Sequence, residues 1–167
     1  NNTSTTSTFL IPATACLSNG ASGTGMNICY FNNNAADLIL TGKLEVLGGT
    51  VNVGNSANAV NNDLEIDQSG TPTIDVQGSG VLFVNGAIRR GLLTTAGALI
   101  YSQSGTSQVT IEGRNASATR GMLEIVNAGS SFNMSGTSQL TLREGRGTDV
   151  TFGDLYLQPA AASAVAS

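Results

Sequence analysis

A short phrase returns along this chain: "LEVLGGTVNVG" from Leu44, "LEIDQSGTPTIDVQG" from Leu64 and "LEIVNAGSSFNMSG" from Leu123. Each copy is an alternating apolar and polar run, a glycine-marked turn, then a second alternating run. Alternation with a period of two marks a strand with one buried face. From residue 38 onward the pattern is almost continuous, and few windows carry the 3.6-residue period of an amphipathic helix. The leading leucines Leu44, Leu64, Leu82, Leu99, Leu123, Leu140 and Leu155, taken as coil starts, are unevenly spaced. Short repeats of this kind, each carrying short strands, predict a β-solenoid in which successive coils stack about 4.8 Å apart.

The expected fold is therefore all-β: a parallel β-helix of six to seven irregular coils over residues 38–158. Residues 1–37 read as an N-terminal lead and cap, and 159–167 as a linker or the start of a further segment, hence a piece of something longer. A β-sandwich also explains the alternation but gives no reason for "LE[VI]" to recur. One pair of phrases resists the frame. "SGTSQVTIEG" from Ser104 and "SGTSQLTLREG" from Ser135 are nearly identical, yet the frame places them before different strands of the coil.

The stacked frame makes predictions about the surface. It puts Asn52, Asp75, Arg89 and Asn133 in one outward ladder, with Asp75 and Arg89 as a cross-rung ion pair. Glu45 stacks directly over Glu65, which costs energy unless the carboxylates splay into water or a cation such as calcium bridges them. Phe83 beside Ile100 makes a small apolar patch, either covered by the N-terminal segment or open to a partner.

Composition narrows the function. Only 11% of the 167 residues are charged, the net charge is −4, and Lys43 is the sole lysine. No basic stripe exists to displace counterions, so nucleic acid is excluded as a partner. No apolar run approaches the ~20 residues of a membrane helix, so membrane insertion is not expected. Cys16 and Cys29 bracket a glycine-rich loop and read as a disulfide, with two buried thiols as the alternative. With so little charge, a disulfide points to an exported, extracellular or cell-surface protein.

Signals for chemistry are weak. The absence of histidine removes imidazole acid–base catalysis and His-based metal sites, and no cofactor is implied. The acidic groups Asp63, Glu65 and Asp67, or Asp149 and Asp154, are the only glycosidase-like candidates, and no aromatic platform accompanies them. They read as solvated faces, and the chain reads as no enzyme. Arg114, Arg120, Arg143 and Arg146 suit an acidic glycan or plain surface charge. An ice-binding face would need threonines repeating at coil spacing, which only "TSQVT" and "TSQLT" suggest.

The phrases "GGTVNVGNSA", "LEIDQSGTPTIDVQGSGVLFVNG" and "LEIVNAGSSFNMSGTSQLTLREG" resemble the β-helical repeats of large secreted bacterial surface proteins. In style they are similar to the giant gliding adhesins of the Bacteroidota exported by type IX secretion, and to autotransporter passengers. The resemblance covers roughly residues 38–158 and lies in rhythm and composition rather than a diagnostic motif. It implies a non-enzymatic extracellular segment of a cell-surface adhesin or stalk. Its expected partners are other surface-protein segments, copies of itself, or glycans. A self-assembling filament subunit is the alternative, and a polysaccharide-binding or polysaccharide-cleaving β-helix the next.

Overall fold

The computed structural model describes residues 9–11, 16–20, 22–28, 37–55, 57, 62–66, 71–90, 98–113, 122–126, 128–143 and 155–158. Within them the chain forms strands and turns and no helix. The first rung comprises β1 (Phe9–Ile11), β2 (Cys16–Asn19) and β3 (Gly25–Ile28). The second is β4 (Leu38–Leu40), β5 (Lys43–Val46) and β6 (Thr50–Val53), and the third β7 (Leu64–Ile66), β8 (Thr73–Val76) and β9 (Val81–Val84). Then come β10 (Ile88–Arg90), β11 (Ile100–Gln103) and β12 (Gln108–Ile111), followed by β13 (Leu123–Val126), β14 (Ser131–Met134) and β15 (Gln139–Leu142). A last strand, β16 (Leu155–Gln158), opens a sixth rung.

Equivalent strands of successive rungs pair in parallel. They form sheet A (β1-β4-β7-β10-β13-β16), sheet B (β2-β5-β8-β11-β14) and sheet C (β3-β6-β9-β12-β15). The chain is thus a parallel β-solenoid with three-sided rungs. Among the described residues, five rungs and one further strand stand where six to seven coils were expected, because each turn is longer than the leucine spacing implied. Leu64 pairs with Ile88 and Ile88 with Leu123, so a full turn carries three strands and is longer than the leucine intervals taken as coils. The leucines taken as coil starts are spread over the three sides. Leu64, Leu123 and Leu155 lie in sheet A, Leu44 in sheet B, and Leu82 and Leu140 in sheet C.

The start of the solenoid moves as well. β1, β2 and β3 pair in register with β4, β5 and β6, so these strands form a first rung within the segment expected to be a cap. The linker assigned to 159–167 lies outside the described residues.

Inward side chains fill the interior in columns. Leu38, Leu64, Ile88 and Leu123 stack in sheet A, Leu44, Ile74 and Tyr101 in sheet B, and Val51, Leu82 and Val109 in sheet C. All are fully buried, and each such aliphatic side chain contributes roughly 1.5–3 kcal/mol. The column breaks at Gln103, an amide among Val46, Val76 and Met134. It is satisfied in place: Tyr101 Oη donates to Gln103 Oε1 (2.8 Å), and Gln103 Nε2 donates to the carbonyl of Gln139 (2.7 Å). Tyr101 also stacks on Phe132, with ring centroids 5.1 Å apart, and its burial raises the phenol pKa.

Between sheets B and C the rungs turn on stacked glycines. Gly105 and Gly136 have φ of +72° and +70°, a region that costs other residues strain. A Cβ on Gly105 would also lie 2.8 Å from the Gly78 carbonyl oxygen, and one on Gly136 2.7 Å from that of Gly105. The same carbonyls accept the backbone N–H groups of Thr106 and Thr137, each at 2.8 Å. This corner contains the "SGTSQ" phrase, and Gln108 pairs in register with Gln139. The phrase that broke the expected frame is therefore the true rung repeat.

Candidate functional site

Three outward faces and the corner entering sheet A hold the polar and charged side chains from which a site could be built. That corner is polar. Leu38, Leu64 and Ile88 are register partners, which stacks Asp37, Asp63 and Ala87 immediately before them. Asp37 Oδ1 accepts the backbone N–H of Asp63 (2.7 Å), and Asp63 Oδ1 accepts that of Ala87 (2.7 Å). Asp63 Oδ2 also forms an ion pair with Arg89 Nη2. Beside this stack, Asn85 Nδ2 donates to Asn62 Oδ1 at 3.3 Å, and both asparagines are buried. Burial pushes the Asp37 carboxyl up to about 7, against the hydrogen bond from Asp63 and with the repulsion of Asp63 and Glu65.

On the outer face of sheet A, Ile39, Glu65 and Arg89 are register partners, and the pairing of Ile88 with Leu123 places Glu124 next. Arg89 and Glu124 are buried although they occupy outward positions.

Sheet B carries the second charged device. Ser18, Glu45, Asp75, Ser102 and Asn133 form one outward row. Lys43 Nζ donates to Glu45 Oε1 (2.6 Å) and reaches Asp75 Oδ2 (2.9 Å). Ser18 Oγ donates to Glu45 Oε2 at 2.8 Å, and Gln77 Nε2 to Asp75 Oδ2 at 2.8 Å. Hydrogen bonding to Asp75 and Glu45 raises the Lys43 pKa, and the Lys43 and Ser18 contacts hold Glu45 below the ordinary range.

Sheet C is different in kind. Its outward rows are Asn27, Asn52, Phe83, Thr110 and Thr141, and Gly25, Thr50, Val81, Gln108 and Gln139. None is charged, and none is buried. Asn52 Nδ2 donates to Asn27 Oδ1 at 2.9 Å, an amide ladder between neighbouring rungs.

Several expectations change. Asn52, Asp75, Arg89 and Asn133 do occupy outward positions, but Asn52 belongs to sheet C, Arg89 to sheet A, and Asp75 and Asn133 to sheet B. They form no single ladder. The ion partner of Asp75 is Lys43 and that of Arg89 is Asp63. Glu45 and Glu65 lie in sheets B and A, so no cation bridges them as stacked neighbours, and no cluster of three metal-binding acids or cysteines occurs among the described residues.

Phe83 and Ile100 also separate, into sheets C and B, where Phe83 sits between Asn52 and Thr110. The expected disulfide is not formed: Cys16 is an exposed free thiol on the outer side of β2, and Cys29 lies outside the described residues.

Of the acids considered for catalysis, Asp63 is buried in structural contacts and Glu65 lies beside Arg89. Asp67, Asp149 and Asp154 lie outside the described residues, as do Arg114, Arg120 and Arg146. Arg143 Nη1 sits 3.3 Å from Glu112 Oε2. No described helix is long and apolar enough to cross a membrane. Sequence reasoning missed Asp37, Lys43 and Gln103, whose roles depend on which rung neighbours they meet. Comparison of the chain with protein-family models, with curated proteins and with solved structures finds no match.

Proposed function

We propose that the chain is a non-enzymatic, extracellular β-solenoid segment of a cell-surface adhesin or stalk, a stiff element that spaces or presents an attachment surface. One observation carries this reading: side chains are used to join rungs. Asp37 to Asp63, Ser18 to Glu45, Lys43 to Asp75 and Asn27 to Asn52 each link neighbouring rungs. Together with the parallel ladders they make axial connections that resist separation of the rungs. The rhythm shared with secreted bacterial surface repeats supports the same reading.

The test is single-molecule pulling between the chain ends, paired with antibody labelling of intact source cells. Rung-by-rung release in steps of about 8–12 nm, the extended length of one turn, is expected. Collapse in one low-force event, or labelling only after permeabilisation, would count against a surface rod.

End-to-end self-association is a second reading. It is favoured by Phe132, Met134, Leu140 and Leu142, inward residues of the fifth rung that are only partly buried. It requires a solution mass that rises with concentration.

A further inference from the structure

We propose that the outer face of sheet C binds a neutral polysaccharide laid along the solenoid axis, with Phe83 as its stacking platform. This deepens the adhesive reading above and rests on it. Charge is the first argument. Sheet B carries Lys43, Glu45 and Asp75 at outward positions, and sheet A carries Glu65 and Arg89, whereas every outward residue of the sheet C strands is uncharged. The rows themselves offer an acidic glycan no cation, Arg143 standing just past β15 in a pair with Glu112, and a neutral glycan displaces no ionic hydration on docking.

Exposure is the second argument. Sheets A and B each bury an outward charged residue, Arg89 and Asp75, while all the outward residues of sheet C keep access to solvent. The chemistry fits a sugar. Phe83 offers an apolar ring to the C–H face of a pyranose, and its register neighbours Asn52 and Thr110 flank it with an amide and a hydroxyl for the sugar rim. Val81 lies in the adjacent row between Thr50 and Gln108. Gln108, Gln139 and Thr141 are exposed and Thr110 is partly so, which leaves their amides and hydroxyls within reach of a ligand.

The spacing suits a polymer. Rungs recur about every 4.8 Å, so successive amides and hydroxyls meet successive sugar rings. Because these groups stand on a sheet, little ordering entropy is lost when the ligand binds.

Native affinity electrophoresis of the full chain tests this, in gels containing hydroxyethyl cellulose, xyloglucan, laminarin or dextran, with polygalacturonate as the acidic control. Retardation by at least one neutral polymer is expected, weakened about tenfold by Phe83→Ala and unchanged by Ser102→Ala on sheet B. Should Phe83→Ala fail to fold, Gln108→Ala combined with Thr110→Ala decides, since both side chains point outward; about threefold weakening is expected.

Retardation by none of the neutral polymers, or by polygalacturonate alone, would overturn the proposal. So would retardation that every folded sheet C variant retains, or a dimer in free solution that dissociates on Phe83→Ala, which would assign the face to a second copy. The pulling experiment is independent. A chain that releases rung by rung but ignores every polymer remains a rod without this ligand. One that binds through Phe83 yet collapses in one event loses only the rod.

Discussion

At the corner between sheets B and C the chain turns on stacked glycines, and at the corner entering sheet A it turns on stacked carboxylates and amides. Both let one rung sit directly on the next. The first does so with backbone alone: Gly78 and Gly105 carbonyls accept the N–H groups of Thr106 and Thr137. The second uses side chains, with Asp37 and Asp63 each accepting a backbone N–H of the following rung. The glycine corner is intolerant of added atoms and indifferent to pH. The aspartate corner is intolerant of lost groups, and it titrates.

The largest expected effect comes from emptying the aspartate corner. Asp63→Ala removes the acceptor for Ala87 N–H and strips Arg89, itself buried, of an ion partner. Breaking a buried ion pair costs about 3–5 kcal/mol, and Glu65 and Glu124 beside Arg89 place this loss at the lower end of that range. Asp63→Asn keeps an acceptor for the amide and is expected to cost less. Chemical denaturation of the three proteins checks this, and equal losses for the two variants would mean that the hydrogen bond is irrelevant.

Filling the glycine corner comes next. Gly105→Ala is expected to cost about 2–3 kcal/mol, combining left-handed backbone strain with a Cβ pressed on the rung beneath. Gly20→Ala is the matched control, because a Cβ there meets nothing within 4 Å, and its effect should stay within about 0.5 kcal/mol. Similar melting temperatures for the two variants would break the comparison.

These corners also explain what could be read from sequence. The parallel solenoid and the inward leucines were legible, because alternation reports burial whichever side a strand occupies. Rung length was not, because every side uses the same strand–turn–strand grammar. "LEV" at Leu44 lies in sheet B, while "LEI" at Leu64 and at Leu123 share sheet A, two rungs apart. The reliable repeat was "SGTSQ", since its stacked glycines must meet one another in space. The aspartate corner left a fainter trace, an aspartate before an alternating aliphatic run in "DLIL" at Asp37 and "DLEI" at Asp63. Nothing in so short a phrase reports stacking, and only the pairing of Leu38 with Leu64 shows that the two aspartates meet.

The aspartate corner should give the solenoid an unusual response to pH. Burial lifts the Asp37 carboxyl to about 7, and in the unfolded chain it titrates near its ordinary value of 3.8. Between those values the folded state holds a proton that the unfolded state lacks. The stability this group confers is therefore complete below the unfolded pKa and lost as pH rises through about 7. Because the group is only half-buried, solvent screening limits the gain to about 1 kcal/mol. Asp37→Asn keeps the amide acceptor without the charge, so it should be the more stable protein at pH 8 and flatter from pH 8 to 5. Parallel pH profiles for wild type and variant would remove Asp37 from the account.

The smallest effect separates charge held in a corner from charge held on a face. Lys43 lies between Glu45 and Asp75, which pair in register across β5 and β8, so Lys43→Met leaves two like charges side by side. A third of the Lys43 side chain remains in solvent, which places the loss at about 1 kcal/mol or less. Salt distinguishes the two settings. Raising the ionic strength should close most of the gap between wild type and Lys43→Met, because these charges are open to screening. The Asp63→Ala gap should persist, since Asp63 and Arg89 are shielded from mobile ions. Equal salt sensitivity would mean that the corner is wetter than its burial implies, and its aspartates would then act as surface charge.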